Sequence, residues 1–240
     1  MSVSDLFMNI AWSWDNASVD YSPYAITKIT ITGGEIIPQY AFSGMTTLKE
    51  IDLSNTKATI LGTFSFSACR SLEKITLPSS IKSINSYAFS NCTALEHIEL
   101  NNGLREIGEY AFCDCSSLSK INYIGIIDKW TQINFDNCYS NPLSYVGNLY
   151  INDELVTNVV LTNTTKINSY AFYNCKSLTS ITIPNSVTSI EQFAFFYCSS
   201  LTSINYNGTK SEWQNIYKGY DWNHNTGKYT IYCSDGTIIK

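Results

Sequence analysis

Two histidines and eight cysteines are the residues of this chain best suited to chemistry, and their spacing narrows what that chemistry could be. His97 sits between Glu96 and Ile98 in a segment of alternating polar and apolar residues, which turns it outward beside Glu99, with Lys74 one repeat earlier. That set has the composition of a general acid–base group. His224 lies far away in repeat order, and neither a nucleophile nor a metal partner accompanies either histidine. We therefore read His97 as a solvated residue on a sheet face and assign no catalytic residue. An enzyme built on the inserted segments is the weakest of the readings considered. Five cysteines, Cys69, Cys92, Cys115, Cys175 and Cys198, each follow a phenylalanine by three residues. Metal sites use close pairs of thiols, whereas these recur once per repeat, and Cys113-Asp114-Cys115 has nothing nearby to complete a site. Residues at one position of stacked turns point their Cβ atoms the same way, which is poor disulfide geometry. A ladder of buried free thiols is expected, with no metal and no cofactor.

The elements that must position these residues are repeats. Aligning the core Ala-Phe-x-x-Cys-x-x-Leu-x-x-Ile-x-Leu places its phenylalanine at Phe42, Phe66, Phe89, Phe112, Phe172 and Phe195, in steps of 24, 23, 23, 60 and 23 residues. Units of 20–29 residues with L-x-x-L-x-L spacing predict a leucine-rich repeat solenoid, since each unit can bury its inner face only against its neighbours. Each repeat supplies one short rung, as in Leu72-x-x-Ile75-x-Leu77, with Ile75 and Leu77 inward and Lys74 and Thr76 outward. About eight such rungs form a parallel β-sheet. A second β-prone segment follows each rung, as at Ile81–Ile84, Leu104–Ile107 and Val187–Ile190. The Tyr-Ala-Phe turn then closes the coil.

The long step hides a second repeat, offset by 83 residues. Ile121-Asn-Tyr-Ile-Gly125 followed by Trp130 and Ile133 corresponds to Ile204-Asn-Tyr-Asn-Gly208 followed by Trp213 and Ile216. Each copy predicts a short Trp-bearing helical turn and a hairpin, with turns at Asn152-Asp153 and Asp235-Gly236. Before the repeats, Leu6, Phe7, Ile10, Ala11 and Trp14 fall at helical spacing after Ser4 and Asp5. The organisation is then an N-terminal cap over 1–24, repeats over 25–124, an insert over 125–155, repeats over 156–208, and a second insert or C-terminal cap over 209–240.

Only 15% of residues are charged, so Ser, Thr and Asn must cover the outside, and a net charge of −5 excludes the clustered Lys and Arg of a nucleic-acid groove. No stretch approaches the apolar length of a membrane helix, so membrane insertion is not expected. The N-terminal segment lacks the basic start and unbroken apolar run of a secretory signal, which leaves both a cytoplasmic protein and a piece of a longer surface protein open. The outward rung positions give the candidate binding face: Glu50, Asp52, Lys74, Thr76, His97, Glu99, Lys120 and Asn122. A rigid face that shows one or two side chains per rung suits an extended partner. Trp130 and Trp213 give a rival candidate surface on the inserts, set against simple packing of the insert.

The block Ile-x-x-Tyr-Ala-Phe-x-x-Cys-x-x-Leu-x-x-Ile-x-Ile-Pro, clearest over residues 167–184, resembles the BspA-type leucine-rich repeat of bacterial and protist surface proteins. The resemblance covers roughly residues 26–208 and implies a right-handed solenoid with an adhesive or ligand-binding role, secreted or at the cell surface. It supplies no active site. The function expected is a non-catalytic module that binds a protein, cell-surface or matrix ligand; the alternative is a structural spacer or assembly segment of a longer surface protein.

Overall fold

The computed structural model describes residues 26–239 together with the backbone of Trp12–Ser13. The chain forms two compact units, Met1–Ile121 and Asn122–Lys240. Both are built from the same coil, and the fold is a leucine-rich repeat β-solenoid of about nine turns.

In the first unit β1 (Trp12–Ser13) pairs antiparallel with β2 (Lys28–Ile31). The expected helical cap otherwise lies outside the described residues. The rungs β2, β4 (Glu50–Asp52) and β6 (Lys74–Thr76) pair in parallel and in register, so that Ile29, Ile51 and Ile75 stack inside while Lys28, Glu50 and Lys74 stack outside. β8 (His97–Asn101) keeps the alternation, with His97 and Glu99 exposed and Ile98 and Leu100 fully buried. A second parallel ladder joins β3 (Ile36–Ile37), β5 (Ile60–Leu61), β7 (Ser83–Ile84) and β9 (Glu106–Ile107). Both ladders contribute apolar side chains to one core, where Leu48, Ile51, Leu72, Ile84, Leu95 and Ile107 are fully buried.

The Tyr-Ala-Phe turns close the coils by stacking on one another. Tyr40, Phe64, Tyr87 and Tyr110 all have positive φ, between 55° and 59°. That backbone aims alternate N–H groups along the stack: Phe64 N donates to the Ser86 carbonyl, Phe66 N to Ala88, and Ala68 N to Ser90, at 2.7–3.1 Å. The rings follow. Phe42, Phe66, Phe89 and Phe112 stack at centroid distances of 5.1–5.4 Å inside, and Tyr40, Phe64, Tyr87 and Tyr110 at 4.8–5.2 Å beside them. The cysteines take part through weak hydrogen bonds, Cys69, Cys92 and Cys115 Sγ donating to the carbonyls of Phe42, Phe66 and Phe89 at 3.0–3.2 Å. None of the eight cysteines is joined in a disulfide.

The second unit begins within β10 (Lys120–Ile124) and carries α1 (Ile127–Trp130), β11 (Asn134–Phe135), α2 (Leu143–Val146) and the hairpin β12 (Leu149–Ile151) and β13 (Glu154–Leu155). Repeats resume with β14 (Asn158–Val160), β15 (Lys166–Ile167), β16 (Ser180–Ile183), β17 (Ser189–Ile190) and β18 (Ser203–Tyr206). The second insert follows, with α3 (Lys210–Asn215), β19 (Tyr217–Lys218), β20 (Thr230–Cys233) and β21 (Gly236–Ile239). Here α3 opens with a capping box between Thr209 and Glu212.

Two details differ from the sequence reading. The hairpins do not stand apart from the ladder: β20 pairs in parallel and in register with β18, and β12 lies beside β10, so the first arm of each hairpin is itself a rung. Only the second arm, β13 or β21, turns back antiparallel. The sequence hides this because these arms lack the Leu-x-x-Ile-x-Leu frame. The second hairpin also turns at Ser234–Asp235, one residue earlier than expected, since Cys233 pairs with Gly236. Gly236 occupies a φ of +131°, which a residue with a side chain rarely adopts, at the first position of the return strand.

Candidate binding surface

Of the eight predicted face residues, seven lie on the outward side of the rungs, and the structure divides them by what already occupies them. Glu50 is bracketed by its neighbours in the ladder, Lys28 at 3.3 Å and Lys74 at 3.9 Å. Asp52 accepts the Ser54 N–H at 2.9 Å and is half-buried, as is Thr76, its in-register partner on β6. Lys120 is half-buried at the start of β10. His97 and Glu99 differ: both are exposed on β8, two residues apart on one side of the strand, and neither forms an ion pair among the described residues. A carboxylate and an imidazole on a fixed strand form a polar pair that a partner can engage without first breaking a contact.

The eighth residue, Asn122, is turned to another task. It is 2% exposed, its side-chain amide donates to Asp153 at 3.0 Å, and its carbonyl oxygen accepts the Asp153 N–H at 2.9 Å. This pairing clamps the first hairpin to β10 and removes Asn122 from the candidate face. The two tryptophans are likewise interior. Trp130 is fully buried, donates its Nε1 hydrogen to the Ala171 carbonyl at 2.8 Å, and packs edge-on against Tyr123 at 5.5 Å. Trp213 is 4% exposed, lies against Tyr206 and Trp222, and has the Lys218 ammonium 4.9 Å above its ring. Neither offers its ring to a ligand: of the two readings of the inserts, packing and a rival surface, their burial fits packing.

Among the described residues the exposed aromatics are instead tyrosines, including Tyr197 and Tyr220 in the second unit, with Tyr220 packed edge-on against Phe193 at 5.6 Å. Neither stands in the turn-motif slot of Tyr87: Tyr220 corresponds to Glu109, one residue before the positive-φ position that Asp221 holds, and Tyr197 corresponds to Asn91, so no repeated aromatic position marked either out. Among the described residues no group of three or more His, Cys, Asp or Glu is placed to hold a metal ion, and no helix is long and apolar enough to cross a membrane.

A model of the BspA type leucine-rich repeat region matches six copies over residues 19–141 and 147–220. The chain belongs to the BspA-type leucine-rich repeat family. Repeats of this kind are in general protein-interaction modules and in general non-catalytic. Among solved structures the chain is similar to the Treponema leucine-rich repeat protein TpLRR of T. pallidum, at 21% identity over 80% of this chain and 78% of that one, with a TM-score of 0.36. It is similar also to a leucine-rich cell surface protein of Faecalibacterium prausnitzii, at 19% identity, 86% and 89% coverage and a TM-score of 0.37. A third is the pneumococcal vaccine antigen PcpA, at 19% identity, 85% and 68% coverage and a TM-score of 0.41. No curated protein matches the chain.

Proposed function

We propose that this chain is a non-catalytic, adhesion-type module at a cell surface, which holds an extracellular protein or matrix component on the outward face of its rungs. The observation that carries the reading is the open pair His97 and Glu99 on β8, next to a ladder whose Glu50 is satisfied by Lys28 and Lys74. Rungs spaced about 4.8 Å apart hold these side chains in place before a partner arrives, which limits the entropy lost on binding.

The test is a binding array of purified matrix and cell-surface proteins probed with the chain and with the double variant His97→Ala, Glu99→Lys. The reading predicts saturable binding to at least one protein, weakened at least tenfold in the variant, with the melting temperature unchanged because both side chains are exposed. Absence of any saturable binding, or binding indifferent to both substitutions, would overturn it.

A further inference from the structure

In a parallel ladder each rung satisfies the edges of its two neighbours, and in the second unit this arrangement is interrupted between β13 and β14. Among the described residues β13 ends one sheet, paired with β12 alone, and β14 begins another, paired with β16 alone. On β14 the groups directed at β16 are those of the odd-numbered residues: Ser180 N donates to the Thr157 carbonyl at 3.2 Å and Leu161 N to the Thr182 carbonyl at 3.0 Å. Because strand residues alternate, the N–H and C=O of Asn158 and Val160 face the other way, onto the open edge. On β13 the register does the same for Leu155. Val156 N bonds back to Leu149 at 2.9 Å, Leu155 is opposite Tyr150, and the peptide groups of Leu155 alternate away from β12.

Between these edges lies a groove of about 370 Å³. Ile127, Ile151, Leu155, Val156, Val159 and Val160 give it aliphatic walls, and Asn152, Glu154 and Asn158 line it beside them, so the groove mixes apolar and polar surface. Leu155 and Val160 are 44% and 59% exposed, a liability that natural edge strands usually blunt with a lysine, a proline or a bulge, none of which is present in β14. Glu154 is the charged residue of the lining, is exposed, and forms no ion pair among the described residues. Both walls are fixed. Asn152 holds the hairpin through two bonds to the Gly125 backbone at 3.0 and 3.1 Å, Asn122 clamps Asp153, and β14 is bonded along its length to β16.

We propose that this groove takes an extended segment of a partner protein as an added β-strand on β14, with aliphatic side chains in the groove and a lysine or arginine against Glu154. Backbone bonds to Asn158 and Val160 supply affinity, and the aliphatic side chains of the lining together with Glu154 supply the choice of sequence. The groove shares no residue with the His97–Glu99 face, so failure of one reading leaves the other standing.

The probe is the labelled peptide acetyl-Thr-Val-Lys-Val-Thr-Val-Thr-amide, and its counterpart with glutamate in place of lysine, titrated against the whole chain. Binding of the lysine peptide is expected, with amide hydrogen exchange at Asn158 and Val160 slowed at least tenfold. Val160→Pro deletes an N–H that has no hydrogen-bond partner among the described residues, and proline is tolerated on an edge strand. It should keep the melting temperature and weaken the peptide at least tenfold. Glu154→Lys should reverse the preference between the two peptides. Exchange at Asn158 and Val160 unchanged by peptide, or binding insensitive to Val160→Pro, would overturn the proposal. So would self-association of the chain that Val160→Pro abolishes, which would assign the edge to a second copy.

Discussion

Asp128 shows how one side chain can hold an insert in place. It lies on α1, is 6% exposed, and accepts the N–H groups of Thr162 and Asn163 at 2.9 Å each and the Thr162 hydroxyl at 3.2 Å. Burial pushes its pKa up, but these bonds and one from Thr164 outweigh that and hold the carboxyl below its ordinary value. A depressed folded pKa means that the charge stabilises the fold fully above the unfolded value of about 3.9, and that this contribution disappears as pH falls through the folded pKa. Asp128→Ala leaves two backbone donors without their acceptor and should cost on the order of 1–3 kcal/mol at pH 7. Urea denaturation at pH 7, 5 and 3 checks the sign: the gap between the wild type and Asp128→Ala should be the same at pH 7 and 5 and narrower at pH 3. A gap that widens on acidification would show that the carboxylate is not the stabilising form.

The turn stack is the element that makes the repeat necessary. A left-handed backbone costs a residue with a side chain on the order of 1–2 kcal/mol, and this chain adopts it at Tyr40, Phe64, Tyr87 and Tyr110 in succession. The strained residue is aromatic because its ring stacks on the next coil, worth about 0.5–1.5 kcal/mol, and because the positive φ points its N–H at the neighbouring turn. Inside the same stack the thiols are desolvated. Burial raises the pKa of Cys69 and Cys115 to about 12 and of Cys175 to about 11, and it carries Cys92 and Cys198 well above the ordinary thiol value. Since the thiolate is the nucleophile, an alkylating reagent at pH 8 should modify the partly exposed Cys113, Cys138 and Cys233 first. The five ladder cysteines should react only after denaturation. Peptide mapping of the alkylated protein, native and in urea, reads this directly; native labelling of Cys92 as fast as Cys233 would mean that the stack opens on the timescale of the reaction.

At the scale of the whole molecule, what could be read from the sequence follows what repetition imposes. Phe89, Cys92 and Leu95 recur because every coil needs them, so rungs, turns and thiol ladder were all legible. Asn122 was not, because its burial depends on a contact with Asp153, 31 residues away, which no local period encodes; packing of Trp130 could be read, but not its partner Ala171, 41 residues away. The open edge at β14 was hidden for a related reason, since it arises only when the hairpin joins the ladder as a rung and then turns back. If stability does reside in coil-to-coil contacts, a coil should be removable as a unit. Deleting residues 72–94 joins Ser71 to Leu95, which occupies the repeat position of Leu72, so each remaining rung meets a neighbour of the same type. The shortened chain should keep the circular dichroism of the parent and unfold cooperatively in urea, with an m-value lower by roughly 10% in proportion to the surface removed. Deleting residues 72–83 instead removes about half a coil, joins Ser71 to Ile84 so that turn residues fall where the rung must lie, and should leave the chain without a cooperative transition. Equal behaviour of the two deletions would show that the stacking register is not what holds this protein together.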